Sequence, residues 1–212
     1  MIKYLIWDAG GTLFDTYPAV MEACRVALRD FGKEAPPEHV MALFKRSTSF
    51  GLRTLADEFS IDQDAFRQHF ERAYDNIGAQ YQPPFPGVEQ VCRYMCEIGG
   101  RNFIVTHRVK ASLEVLLETH SLMRYFADYI GKEDPYPRKP DPESLNVLIA
   151  RYALDRNQCL LIGDRDLDIV AGRRAGIRTC FFGSEPHEAQ PDLAITDYAT
   201  LYDWLLAENA RQ

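Results

Sequence analysis

The chain has 212 residues, 46% hydrophobic and 26% charged, with a formal net charge of -7. This length suits one α/β domain or a core carrying a smaller inserted one. The acidic balance argues against nucleic acid or an anionic membrane as partner, since clustered cations bind both, and leaves a phosphorylated metabolite open because a local site can be positive on an acidic protein.

Ile2 to Trp7 is a short apolar run stopped by Asp8-Ala9-Gly10-Gly11-Thr12, which reads as a buried strand ending in a glycine turn. From about Thr16 to Gln80 the periodicity is helical, with predicted helices at Val20–Phe31, Pro37–Lys45, Gly51–Phe59 and Asp64–Gln80. Pro36-Pro37 and a cap-like Asp62 punctuate this stretch. Gln82-Pro83-Pro84-Phe85-Pro86-Gly87 then stiffens the chain and marks a boundary. Beyond it helices and strands alternate: helix Val88–Glu97, strand Asn102–Thr106, helix Lys110–Thr119 and a short strand near Tyr129-Ile130. Helix Pro142–Tyr152, strand Cys159–Ile162, helix Asp168–Ala175 and strand Thr179–Phe182 follow. Such alternation specifies a parallel sheet covered on both faces. The expected fold is therefore α/β, a Rossmann-like parallel core (1–14 and 82–212) with an all-helical insert (15–81).

The five cysteines are an odd number without a CxxC pair, and Cys92 and Cys96 lack the further ligands that would complete a metal site. They read as packed thiols in a reducing cytoplasm. The opening apolar run, interrupted by Lys3, is too short for a signal segment, and no stretch reaches transmembrane length.

Ligands of open α/β sheets bind at the carboxyl ends of the strands. The polar residues at those ends are Asp8, Thr106 and Gly163-Asp164. Two further segments stand out: Lys139 in Arg138-Lys139-Pro140-Asp141, just before a helix, and Asp168 in Asp164-Arg165-Asp166-Leu167-Asp168. Taken singly these have plain readings. Thr106 can cap, Lys139 can be solvated, Asp168 can start a helix where a carboxylate suits the dipole, and Asp166 reads as surface or support.

Together, in this order and spacing, the four segments resemble the motifs of the haloacid dehalogenase-like hydrolases, in the phosphoglycolate phosphatase-like branch whose helical cap follows the first motif. The resemblance spans essentially the whole chain. It implies an aspartate nucleophile at Asp8, and phosphoryl contacts from Thr106, Lys139 and the Gly11-Thr12 turn. It also implies Mg²⁺ held by Asp8, Asp164, Asp168 and the Gly10 carbonyl. The substrate would be a small phosphorylated metabolite, over which the cap closes. His107, beside Thr106, is a candidate anion contact, and Lys45 to Thr48 a candidate cap wall. A monomer or homodimer is expected.

One position departs from that pattern. Phosphatases of this superfamily carry a second aspartate two residues after the nucleophile, as acid and base; here it is Gly10. Three readings stay open: a phosphatase with a substitute acid/base (Asp15 or His107) or an activated leaving group; phosphonoacetaldehyde hydrolase-like carbon–phosphorus cleavage through a Schiff base on Lys45; or a non-catalytic protein that binds a phosphorylated metabolite. Dehalogenation fits less well, because it needs no metal and the Asp164/Asp168 pair is present.

Overall fold

The computed structural model describes residues 1–184 and 189–210. The chain divides into two compact units, Met1–Asp15 with Pro83–Gln212, and Thr16–Gln82. Each crossing falls one residue after the expected seam. Asp15 stays with the first unit because its N–H donates to the Pro83 carbonyl (2.8 Å) and Phe14 bridges Pro84.

The first unit is built on a six-stranded parallel sheet in the order β3-β2-β1-β4-β5-β6. Its strands are β1 (Tyr4–Trp7), β2 (Arg101–Val105), β3 (Phe126–Ile130), β4 (Cys159–Gly163), β5 (Arg178–Phe182) and β6 (Leu193–Ile195). β1 and β4 run apolar without alternation because both of their faces are covered. On one face, Ile6, Phe103 and Leu161 pack with Leu145 and Leu148 of α7 (Glu143–Arg151) and Ala171 of α8 (Asp166–Arg174). The alternate residues turn to the other face. There the Trp7 ring meets Tyr198 of α9 (Tyr198–Asn209), and Asn102 donates to the Cys92 carbonyl of α5 (Val88–Glu97; 2.9 Å). Trp7 Nε1 donates to the same Asn102 side chain at 3.2 Å, so this buried polar pair is satisfied. Between β2 and β3 lie α6 (Lys110–Thr119) and a 3₁₀ turn at Met123–Tyr125.

The last strand and last helix were not foreseen. Leu193-Ala194-Ile195 is too short to display a period, and it becomes a strand only by pairing with Cys180–Phe182 of β5.

The second unit holds α1 (Tyr17–Asp30), α2 (Pro37–Arg46), α3 (Thr48–Phe59) and α4 (Gln63–Asp75). α1 starts three residues earlier than predicted because Pro18 is tolerated in a first turn, and α3 does so because the Ser47 side chain accepts from the Phe50 N–H (3.0 Å). α4 stops at Asp75 and gives way to a 3₁₀ turn at Ala79–Tyr81 beyond Gly78. Its core cluster is apolar, with Cys24, Leu28, Phe44, Leu55, Phe66 and Phe70 among the buried side chains, and Thr16 and Gln82 are buried polar residues at its two ends. No described helix is long and apolar enough to cross a membrane.

Candidate active site

β1 lies between β2 and β4, with Trp7 in register with Ile104 on one side and Ile162 on the other. The chain steps from β1 outward through β2 and β3, then returns to β4 on the opposite side, so the sheet's switch point lies beside β1. This register delivers Asp8, Thr106 and Asp164 to one edge of the sheet, although they are far apart in sequence. The Asp8 N–H continues the ladder to the Ile162 carbonyl (2.9 Å), and the Thr106 N–H does so to Ile130 (3.0 Å). The backbone beneath each functional side chain is thus fixed by the sheet itself.

Lys139, from the loop between β3 and α7, completes the cluster. Its ammonium donates to Asp8 Oδ1 (2.5 Å) and the Val105 carbonyl (2.8 Å), and lies 2.6 Å from Asp168 Oδ1. Asp8, Lys139 and Asp168 are all buried, with Lys139 and Asp168 side chains at 0% exposure. Ions buried this deeply are tolerated only when paired, and each here has a partner. Asp8, Asp164 and Asp168 each bring one oxygen to within 4.8 Å of the others. Asp8 Oδ2, by contrast, is buried with no hydrogen-bond partner among the described residues.

The electrostatics follow from this packing. Burial pushes the Asp8 carboxyl up, but the Lys139 ammonium and Arg165 guanidinium outweigh it and hold the group below its usual value, ionised. Asp168 goes the other way: burial, with Asp8 as a like-charged neighbour, outweighs Lys139 and raises it. Burial would lower Lys139, yet Asp168 and Asp8 keep it above the ordinary lysine value. His107 is lowered to about 3 by burial and by the nearby Lys139 and Arg165, so its imidazole is neutral; its Nε2 is buried without a hydrogen-bond partner.

The glycine turn after Asp8 needs Gly11, whose φ of 84° lies in the left-handed region. The Phe14 N–H donates to the Ala9 carbonyl (3.0 Å) and the Gly11 N–H to the Phe14 carbonyl (2.8 Å). These bonds use neither the carbonyl nor the N–H of Gly10. Thr12 is fully buried; its hydroxyl donates to Asp164 Oδ1 (3.2 Å), and its carbonyl accepts from the Tyr198 hydroxyl (2.6 Å). The Thr106 hydroxyl accepts from the Arg108 N–H (3.2 Å).

Asp8, Thr12, Thr106, Lys139, Asp164 and Asp168 therefore gather at one sheet edge, with His107 beside Thr106. Lys45 belongs to the other unit. It is exposed, with its ammonium 5.6 Å from the Tyr17 ring centroid.

Sequence reasoning gave no role of their own to two contributors. Gly163 is one: a Cβ there would lie 2.3 Å from Asp168 Cβ, so only glycine lets β4 end against that side chain. A glycine at the end of an apolar strand was the available signal. Arg165 is the other, its guanidinium lying 3.8 Å from Asp8 Oδ1 and 3.9 Å from Asp164 Oδ1 and Asp168 Oδ2.

Comparison with known proteins bears on the family and the fold. A family model described as haloacid dehalogenase-like hydrolase matches residues 5–182. The chain is similar to a phosphoglycolate phosphatase of Vibrio cholerae serotype O1, 30% identical over 97% of each chain. Among solved structures it resembles a hydrolase from Streptococcus pneumoniae TIGR4 (29% identity, TM-score 0.64), covering 96% of this chain and 98% of that one. It shares its fold with a HAD-superfamily hydrolase of subfamily IA from Geobacter sulfurreducens PCA (18% identity, TM-score 0.73), covering 96% of each chain.

Proposed function

The chain belongs to the haloacid dehalogenase-like hydrolases, and from that premise we propose that it is a Mg²⁺-dependent phosphatase of a small phosphorylated metabolite, acting through an aspartyl-phosphate on Asp8. The observation that carries this reading is the state of the Asp8 carboxylate. One oxygen is pinned by Lys139, the other is buried without a hydrogen-bond partner, and two further carboxylates stand beside it.

Hard carboxylate oxygens are the donors that Mg²⁺ takes, and an unsatisfied buried one is a place for a cation, so the residues fit the metal. Asp8, Asp164 and Asp168 would hold it, with the Gly10 carbonyl as a backbone ligand outside the turn's own bonds. When bound, it supplies the positive charge that lets an anionic nucleophile approach an anionic phosphoryl group.

The ionised Asp8 oxygen attacks phosphorus, the ester P–O bond breaks, and its electron pair leaves with the alcohol oxygen. Water then hydrolyses the acyl phosphate and restores Asp8. Lys139 holds Asp8 in place and stabilises charge on the transferring oxygens, with Thr106 and the Gly10 and Thr12 N–H groups as the remaining donors. Gly10 has no side chain to protonate the leaving oxygen. A positioned acid is worth about 10²–10⁴-fold, so esters with activated leaving groups are favoured over alkyl phosphates. His107, neutral and lowered to about 3, is too weak a base and too scarcely protonated to replace the missing carboxyl. Thr16–Gln82 is the cap that selects the substrate. A Schiff-base lysine needs a desolvated amine; Lys45 is exposed, and carbon–phosphorus cleavage gains no support from it.

The test is phosphate release from a panel that includes phosphoglycolate, the substrate named for the relatives, and an aryl phosphate, with and without Mg²⁺. Metal-dependent release is expected from the native protein, larger on the aryl ester, and absent from Asp8→Asn. Equal release from Asp8→Asn, or none from the native chain, overturns the phosphatase reading.

A further inference from the structure

The turn after Asp8 is held at one residue by two side chains remote in sequence. Thr12 is fully buried. Its carbonyl accepts from the Tyr198 hydroxyl (2.6 Å), and its own hydroxyl donates to Asp164 Oδ1 (3.2 Å). Among the described residues nothing accepts from its N–H. Thr12 is thus fixed at two polar atoms while the third, the N–H, stays available. The next two residues are tied as well, since the Leu13 and Phe14 N–H groups both donate to the Ala9 carbonyl (2.9 and 3.0 Å).

We infer that Tyr198 is a positioning residue for the reaction: its hydroxyl holds the Thr12 carbonyl, and with it the turn, in the orientation that offers the Thr12 N–H to the transferring phosphoryl group. This rests on the phosphatase reading above and deepens it, by assigning a role to a side chain that touches neither substrate nor metal. Three observations carry it. The donor is itself locked. Tyr198 is buried, with its ring stacked on Phe182 (4.6 Å between centroids) and 5.6 Å from the ring of Trp7, the residue before Asp8. Gly87 leaves it room, since a Cβ there would lie 2.9 Å from Tyr198 Cβ. Its backbone is no freer: Ile195 pairs with Phe182 at the end of β6, and Asp197 accepts from the Thr200 N–H (2.8 Å) at the start of α9. Burial also pushes the phenol well above its ordinary pKa, so the hydroxyl keeps its proton and donates. Next, the acceptor is a buried carbonyl that no other described donor reaches. Without Tyr198 it would be left unsatisfied, and a buried carbonyl in that state turns to find a partner. Last, Thr12 joins two strand ends, because its hydroxyl meets Asp164 beyond β4. A donor stabilises a phosphoryl oxygen only when aimed where charge develops, and a displacement of about 1 Å costs about 10²-fold in rate.

The experiment compares the full native chain with Tyr198→Phe, which keeps the ring and removes only the hydroxyl. Leu205→Ala, which empties a buried site about two turns further along α9, is the structural control. Phosphate release from the aryl phosphate is measured with Mg²⁺, and amide hydrogen exchange of peptides covering residues 9–14 without it. Tyr198→Phe should lose about tenfold in kcat while KM stays within about twofold of native. Its 9–14 peptides should exchange severalfold faster, and those covering β4 should not. Leu205→Ala should melt below native yet keep kcat within about twofold. An unchanged kcat in Tyr198→Phe, an equal loss in Leu205→Ala, or exchange that quickens as much in β4 as in the turn overturns the inference and leaves the phosphatase reading standing. Should Tyr198→Phe not fold, Phe182→Leu takes its place. It keeps the hydroxyl but removes the ring stacked on it, and should lower kcat about threefold; an unchanged kcat there is the overturning result. No phosphate release by the native chain on any ester overturns both readings.

Discussion

The two units of this chain spend burial on different things. Thr16–Gln82 buries Ala, Cys, Val, Leu and Phe side chains around α1 to α4 and keeps its ionised groups outside. The sheet unit has an apolar core too, but at the carboxyl edge of β1 it also buries Asp8, Lys139 and Asp168. Apolar packing stabilises wherever shapes fit, whereas a buried ion stabilises only while every partner is present. One interior is therefore made for cohesion. The other gives up stability to hold a buried carboxylate ionised.

That contrast can be broken first by two substitutions of equal expected size. Phe66→Ala empties a fully buried aromatic site in the helical unit and should cost about 3–5 kcal/mol. Lys139→Met leaves Asp8 and Asp168 facing each other without their ammonium and should also cost about 3–5 kcal/mol. Thermal unfolding with and without Mg²⁺ separates them. The divalent ion should recover much more of the Lys139→Met loss than of the Phe66→Ala loss; equal recovery would mean the two interiors do not differ as described.

Gly163→Ala is the next sharpest probe. The new methyl would meet Asp168 Cβ at 2.3 Å, and a shift of strand or helix should cost about 1–3 kcal/mol. It should also lower Mg²⁺ affinity, because Asp168 is the group pushed. Wild-type stability and affinity together would show that the β4–α8 junction has slack.

The smallest effect is a pH dependence. His107 sits near 3 in the folded chain, against an ordinary value of 6.5. Between these values the unfolded chain binds the proton and the folded one does not, so stability is full above about pH 6.5 and falls as pH drops toward 3. Denaturant melts at pH 6.5 and 5 should differ by roughly 1–2 kcal/mol from this group. His107→Gln should flatten that slope, and an unchanged slope would place its origin elsewhere.

The strands and helices from Tyr4 to Phe182 were largely legible because their signals are local. Apolar runs ending in glycine marked β1 and β4, and helical periodicity marked the rest. Ser47 and Asp62 then set starts that periodicity alone places less well, each accepting from an N–H three residues on. The candidate residues were legible through order and spacing, which a chain can display without folding. Arg165 was not, because a cation within an acidic string reads as a spacer. Its meaning comes from the direction the start of α8 gives it, toward Asp8 rather than solvent. Tyr198 was equally hidden: its hydroxyl holds the Thr12 carbonyl across 186 positions, and nothing local announces such a bond.

The sequence by itself determined the fold class, the helical insertion after the first strand and the absence of a side chain at Gly10, since these are properties of composition and period. Tertiary structure alone decided that Asp8 keeps one oxygen pinned and one unpaired, that Asp168 and Lys139 are buried beside it, and that a guanidinium stands among the carboxylates. Those are consequences of parallel register at the switch point, where strands remote in sequence must end side by side.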